Sequence, residues 1–153
     1  MEILQRCTSG VLAVSGDDGY PYAVPLSYAL GDGCIWFHCA LTGHKLDAIR
    51  RCDKVSFCVI DRDDVLPEKL TTVYRSVIVF GRAHILDDER KIARGARILG
   101  EKYLNGLSPA LIDQEIMQHM PRLSVIRMDI EHVTGKEGAE LTAQRKPELF
   151  DGD

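Results

Sequence analysis

The chain has 153 residues, the size of one domain and long enough to bury a core without disulfide staples. Nineteen Lys and Arg against twenty-three Asp and Glu leave a net charge of −4, which argues against a dedicated nucleic-acid binder with a basic stripe. Hydrophobic residues at 45% and charged residues at 27% exclude disorder, collagen and coiled coil for the chain as a whole.

The first ten residues carry Glu2 and Arg6 and lack the apolar stretch of a secretory signal. No apolar run approaches the ~20 residues of a spanning helix, so no membrane segment is expected. The cysteines Cys7, Cys34, Cys39, Cys52 and Cys58 are odd in number and irregular in spacing. They contain no C-x-x-C pair, so free thiols in the cytoplasm are expected, and no zinc site.

Val11 to Ser15 is a short apolar strand, followed by the turn Gly16-Asp17-Asp18-Gly19. Tyr20 to Tyr28 reads as one strand, but Pro21 and Pro25 cannot donate to a ladder, which predicts an edge. Gly31-Asp32-Gly33 is the next turn, and Cys34 to Cys39 the third strand. Three strands with tight turns predict a meander. Lys45 to Arg51 reads as a short helix, and Val55, Phe57 and Val59 alternate as in a half-buried strand.

Residues 61–70 are polar and are expected to form an excursion between strands. Val73 to Ile85 is the longest strand candidate. Asp87 to Tyr103 is the clearest helix, with Ile92, Ala96, Leu99 and Tyr103 on one face, ended by Asn105-Gly106. Ser108-Pro109 opens a second helix that should stop before Pro121. Leu123 to Val133 predicts a last strand, and the chain from Gly135 reads as a loosely held tail. Residues 1–137 are therefore expected to form the domain, with 138–153 as the C-terminal tail. The pattern predicts a mainly β protein with appended helices: a six-stranded antiparallel barrel.

The segment from Cys34 to Asp47 runs from strand through a short loop to a helix start. Helix N-termini present free N–H groups and a positive dipole end, and both attract phosphate. Gly43 lets the backbone approach a ligand, and His44 and Lys45 add donors and charge. An ordinary solvated helix start fits the same residues. His38, on its own, reads as a structural strand histidine, and Cys39 as a small buried apolar residue rather than a nucleophile. A metal site of Cys34, His38, Cys39 and His44 is disfavoured, because strand alternation puts Cys39 opposite Cys34 and His38. The stripe Arg90, Lys91, Arg94 and Arg97 reads as a solvated helix face.

Six stretches carry a resemblance when taken in order. They are Gly10-Val-Leu-Ala-Val, Asp18-Gly-Tyr-Pro-Tyr-Ala-Val-Pro-Leu-Ser-Tyr28, Ile35-Trp-Phe-His-Cys-Ala with Gly43-His-Lys-Leu-Asp47, Tyr74-Arg-Ser-Val-Ile-Val-Phe-Gly-Arg-Ala83, and Val133-Thr-Gly-Lys-Glu137. Across about residues 6–137 the chain resembles the FMN-binding split-barrel proteins related to pyridoxamine 5′-phosphate oxidase. Within them it is most similar to the 5-nitroimidazole-resistance group.

The resemblance implies a split β-barrel homodimer with FMN at the subunit interface. It implies that Val24, Pro25, Leu26 and Ser27 lie along the flavin ring, and that His38 and Cys39 end their strand beside it. It places His44 and Lys45 at the phosphate, where the oxidases carry Arg-Lys, and brings Arg75 and Ser76 to the flavin from the partner. His38 is the implied catalytic residue. Lys136 lies either beside the flavin or in the tail. The oxidases use a C-terminal Trp, and this chain has none after Trp36, so vitamin B6 oxidation is disfavoured. The expected activity is FMN-dependent reduction or oxidation of small molecules, nitroaromatics included, with NAD(P)H or another reduced donor. Two alternatives are a flavin-storage protein without catalysis and a haem- or deazaflavin-binding relative on the same barrel.

Overall fold

Residues 9–27 form the first hairpin of the computed structural model, which describes residues 1–104, 106–119 and 122–146. Strands β1 (Ser9–Ser15) and β2 (Pro21–Ser27) pair antiparallel across the tight turn Asp17–Gly19, with Val11 opposite Pro25. Strand β2 has no second neighbour and stands at the end of the sheet, where Pro25 leaves no N–H missing from a ladder. Strands β3 (Ala29–Gly31) and β4 (Cys34–Ala40) form a second hairpin. Its turn residues Asp32 and Gly33 have φ of 52° and 74°, the left-handed pair whose twist matches a two-residue hairpin.

Helix α2 (His44–Arg51) leads to strands β5 (Lys54–Leu66) and β6 (Thr71–Ile85), joined by the turn Pro67–Lys69. Helices α3 (Glu89–Tyr103) and α4 (Pro109–His119) follow, then strand β7 (Leu123–Glu137) and helix α5 (Ala139–Arg145). A short helix α1 (Glu2–Arg6) precedes the sheet. One antiparallel sheet runs in the order β2-β1-β5-β6-β7-β4-β3. Its two ends, β2 and β3, are consecutive in the chain across the single residue Tyr28. The sheet therefore curls back on itself without pairing β2 to β4, which makes a split barrel.

Among the described residues, seven strands stand where six were expected. The run Tyr20 to Tyr28 divides at Tyr28, whose N–H meets the Tyr103 hydroxyl at 2.9 Å and the Thr8 carbonyl instead of a sheet partner. The expected meander is also replaced: β4 pairs with β3 and β7, not with β2. Residues 61–70 are not an excursion, since β5 and β6 continue as a hairpin to Leu66 and Thr71. Polar residues Arg62 and Asp64 conceal the strand because they pair with each other at its exposed end. Beyond Gly135, β7 continues to Glu137, and α5 buries Leu141, so the expected loose tail is ordered through Arg145. Asn105, Pro121 and the tail's residues 147–153 lie outside the described residues. Asp88 caps α3 by accepting the Lys91 N–H at 2.9 Å, close to the predicted start.

Inward residues of the strands fill the barrel, among them Leu12, Phe57, Val59 and Val79. Phe57 meets Tyr28 and Phe37 edge-on at 4.9 and 5.0 Å. Each such pair adds about 0.5–1.5 kcal/mol beyond area burial. Leu4 of α1 and Leu46 and Ile49 of α2 enter the same core. On the other side of β4 and β7, α3 packs Ile98 and Leu99 against Trp36 and Val125, forming a second cluster. The outer face of β1, β5 and β6 remains open and apolar. It carries Val11, Ala13, Cys58 and Ile78, with Ile60 and Phe80 63% and 42% exposed. The five thiols are unpaired. Among the described residues, no helix is long and apolar enough to cross a membrane.

Candidate functional site

Strand β4 alternates strictly. Ile35, Phe37 and Cys39 enter the barrel core, while Trp36 and His38 face the other side. The Cys39 thiol is therefore turned into the core, away from a ligand on the outer face. After β4 the chain reaches Gly43, whose φ of 141° is a conformation glycine adopts freely and L side chains rarely do. Helix α2 starts there, and its first internal bonds run from Leu46 and Asp47 N–H to the Gly43 carbonyl. No side chain caps this end, so its leading N–H groups remain available to an anion. Lys45, half-buried in the first turn, adds a full charge.

Strand β2 lies beside this helix start. Tyr22 and His44 rings meet edge-on with centroids 4.5 Å apart. Val24 and Leu26 pack against the core, whereas Pro25 and Ser27 face out. The backbone edge of β2 away from β1 is unpaired. A flat ring set against that edge would find carbonyls and N–H groups without displacing a ladder. The His44 Nδ1 lies 3.3 Å from an Asp17 carboxylate that also pairs with Arg51. The His44 side chain is thus engaged, and its backbone N–H is what the helix start presents.

His38 is exposed on the outer face of β4, and desolvation by the groups around it pushes it below the ordinary histidine value. That direction favours the neutral imidazole. Burial pushes the Cys39 thiol up, opposed by the nearby charge of Lys45. His38 and Ser27 both line a cavity of about 500 Å³ between helices α3 and α4 and the outer face of β4 and β7.

The structure brings Val24, Pro25, Leu26, Ser27, His38, Cys39, His44 and Lys45 to one region, and it does not bring Arg75 and Ser76 there. These two border a separate cavity of about 410 Å³, with Lys136 and Arg145. They stand on β6, three strands from β2 and so about 14 Å across the sheet. Arg75 is bound to Asp61 at 2.6 Å.

Asp61 is the residue the sequence conceals most completely. It falls in the stretch expected to be a polar excursion, yet its side chain is 1% exposed. Arg6 at 2.5 Å and Arg75 at 2.6 Å hold it, and the Cys7 thiol donates to it. Burial works to raise its carboxyl, but the hydrogen bond from Arg75 and the charge of Arg6 outweigh that and hold it below the usual range. No local pattern signals this cluster, because its members come from α1, β5 and β6. Among the described residues, no group of three or more His, Cys, Asp or Glu is arranged to hold a metal ion.

No match was found among curated protein sequences. Solved structures do match. A conserved hypothetical protein from Mycobacterium tuberculosis is 24% identical, with a TM-score of 0.77 over 92% of this chain and 83% of that one. A candidate 5-nitroimidazole antibiotic resistance protein from Bacteroides thetaiotaomicron is 15% identical, with a TM-score of 0.69 over 88% of this chain and 79% of that one. A FAD-binding protein from Mesorhizobium loti is 24% identical, with a TM-score of 0.60 over 90% and 91% of the two chains. At these identities the likeness is one of fold. The family profile for pyridoxamine 5′-phosphate oxidase matches residues 1–137, the span that holds the whole sheet and the uncapped helix start, and the chain belongs to that family.

Proposed function

We propose that this protein is an FMN-dependent oxidoreductase of small molecules that works as a homodimer in the cytoplasm. The observation that carries the reading is the uncapped start of α2, with Gly43 and Lys45, beside the unpaired edge of β2. FMN has a dianionic phosphate and a flat ring with polar edges, and these two features are what such a cleft accommodates. The donor set fits the group.

When bound, the flavin supplies two-electron transfer, with NAD(P)H or another reduced donor on one side and a small acceptor, such as a nitroaromatic, on the other. The protein's own part is binding and orientation. Lys45 and the first N–H groups of α2, including that of His44, hold the phosphate. The edge of β2 from Val24 to Ser27 and the backbone of Cys39 meet the ring. His38 offers a neutral imidazole at its side. Arg75 and Ser76 reach the flavin from the partner subunit.

The reading is tested by titrating the purified chain with FMN. One flavin per chain and a structured, red-shifted isoalloxazine spectrum are expected. A chain that takes up no FMN refutes the reading. A chain that binds FMN but turns over no donor with any nitroaromatic acceptor is a storage protein instead.

The homodimer is supported by the open apolar face of β1, β5 and β6, since such patches on a folded domain mark association sites. Phe80→Arg places a charge at the middle of that face while leaving the barrel core untouched. The wild-type chain is expected to run as a dimer in size-exclusion chromatography with light scattering, and the variant as a monomer that retains less FMN. A variant that remains dimeric moves the interface elsewhere.

A further inference from the structure

We infer that the cavity between α3, α4 and the outer face of β4 binds an uncharged, flat aromatic ligand and excludes anionic ones. This rests on the flavin reading for its role, as the place of the acceptor, but the pocket itself stands on its own geometry.

Its volume of about 500 Å³ lies within the range of small-molecule sites. Ala96, Leu99, Ile116, Leu123 and Val125 supply apolar walls from both helices and from β7. The polar lining decides the charge. The Tyr103 hydroxyl is committed, because it accepts the Tyr28 N–H and donates to a backbone carbonyl. His119 faces Glu115 at 3.6 Å, so the imidazole at the rim stands beside a carboxylate. His38 and Ser27 remain, both exposed, and desolvation favours the neutral form of His38. No Lys or Arg is among the described lining residues, so a phosphate or carboxylate entering here would meet Glu115 and no unpaired cation. The substrate named by the family carries a phosphate, and this pocket is unsuited to it.

His38 and Ser27 also belong to the proposed flavin cleft. A ring held against the apolar walls would therefore lie next to the edge of β2, the position an electron acceptor needs.

A native reporter stands behind the wall. Trp36 is the chain's single tryptophan, and it packs on Leu99 and Val125, which line the cavity. The test uses two probes with the same ring, nitrobenzene and 4-nitrobenzoate, titrated into the purified full-length chain while Trp36 emission is recorded. Nitrobenzene is expected to quench saturably, and 4-nitrobenzoate to bind at least about tenfold more weakly. Ala96→Phe fills the cavity from α3 and is expected to abolish saturable quenching while FMN uptake persists.

Glu115→Lys changes an exposed residue, so the fold is retained whatever Ala96→Phe does. It is expected to bring 4-nitrobenzoate to within a fewfold of nitrobenzene. Absence of saturable nitrobenzene quenching, equal binding of the two probes, or an unchanged ratio in Glu115→Lys each overturns the proposal. The flavin reading fails separately: nitrobenzene quenching that survives in a chain unable to take up FMN refutes the cofactor and leaves the pocket standing.

Discussion

Lys45→Ala is expected to weaken FMN binding by roughly 1.5–3 kcal/mol, about 10- to 150-fold in dissociation constant, the range for a hydrogen bond to a charged group. Lys45 is half-buried in the first turn of α2, where no side chain caps the helix. The helix dipole and the lysine charge act on the same spot, so the loss combines a direct contact with a weakened local potential. Residual binding is expected to come from the N–H groups that the substitution leaves in place. The His44 side chain is already engaged by Asp17, so His44→Ala is expected to cost much less than Lys45→Ala. Flavin fluorescence titration of both variants measures the difference. An unchanged dissociation constant for Lys45→Ala would reject Lys45 as the phosphate anchor.

Asp61→Ala is expected to destabilise the fold by about 3 kcal/mol, near the lower end for breaking a buried ion pair. The lower end applies because Arg6 and Arg75 remain partly exposed and can hydrate once released. Three separated elements lose their common tie, so the effect should reach α1 and the hairpin of β5 and β6 together. The pH dependence follows from the sign of the shift. The Asp61 carboxyl is held below its ordinary value in the folded state, so its stabilisation is fully present above the unfolded value of about 3.9. It is lost as pH falls through the lower folded value. Asp61→Asn is therefore expected to unfold at lower temperature than wild type at pH 7, with the gap closing below about pH 4. Thermal melts across that interval check it, and a gap independent of pH would remove Asp61 from the acid response.

Much of the barrel is legible in local pattern. The alternation of Val55, Phe57 and Val59, the turn residues Asp32-Gly33 and the prolines of β2 each follow from chemistry that acts over a few residues. The α3 face was legible in part. Leu99 is buried as its spacing implies, but Gly95 and Ile98 share the burial, while Ala96 and Tyr103 turn toward the cavity. Helix α1 escaped notice because five residues give no periodicity to detect. The seventh strand escaped because Tyr28 looks like one more strand residue. What redirects the chain there is the hydroxyl of Tyr103, seventy-five positions away.

The candidate site divides the same way. The uncapped helix start, Gly43 and Lys45 are neighbours in the chain, so their chemistry was readable as a short motif. Which atoms they and β2 offer was not, since burial sends the Cys39 thiol and the Val24 and Leu26 side chains into the core.

The sequence by itself determined a mainly β domain, its turns, the edge character of β2 and the glycine-lysine helix start after β4, because each depends on residues close together in the chain. The tertiary structure alone decided the strand order, the burial of Asp61 between Arg6 and Arg75, and the cavity that joins His38 and Ser27 to α3 and α4. Those features arise where distant segments meet, and there loop closure and core packing outweigh local preference.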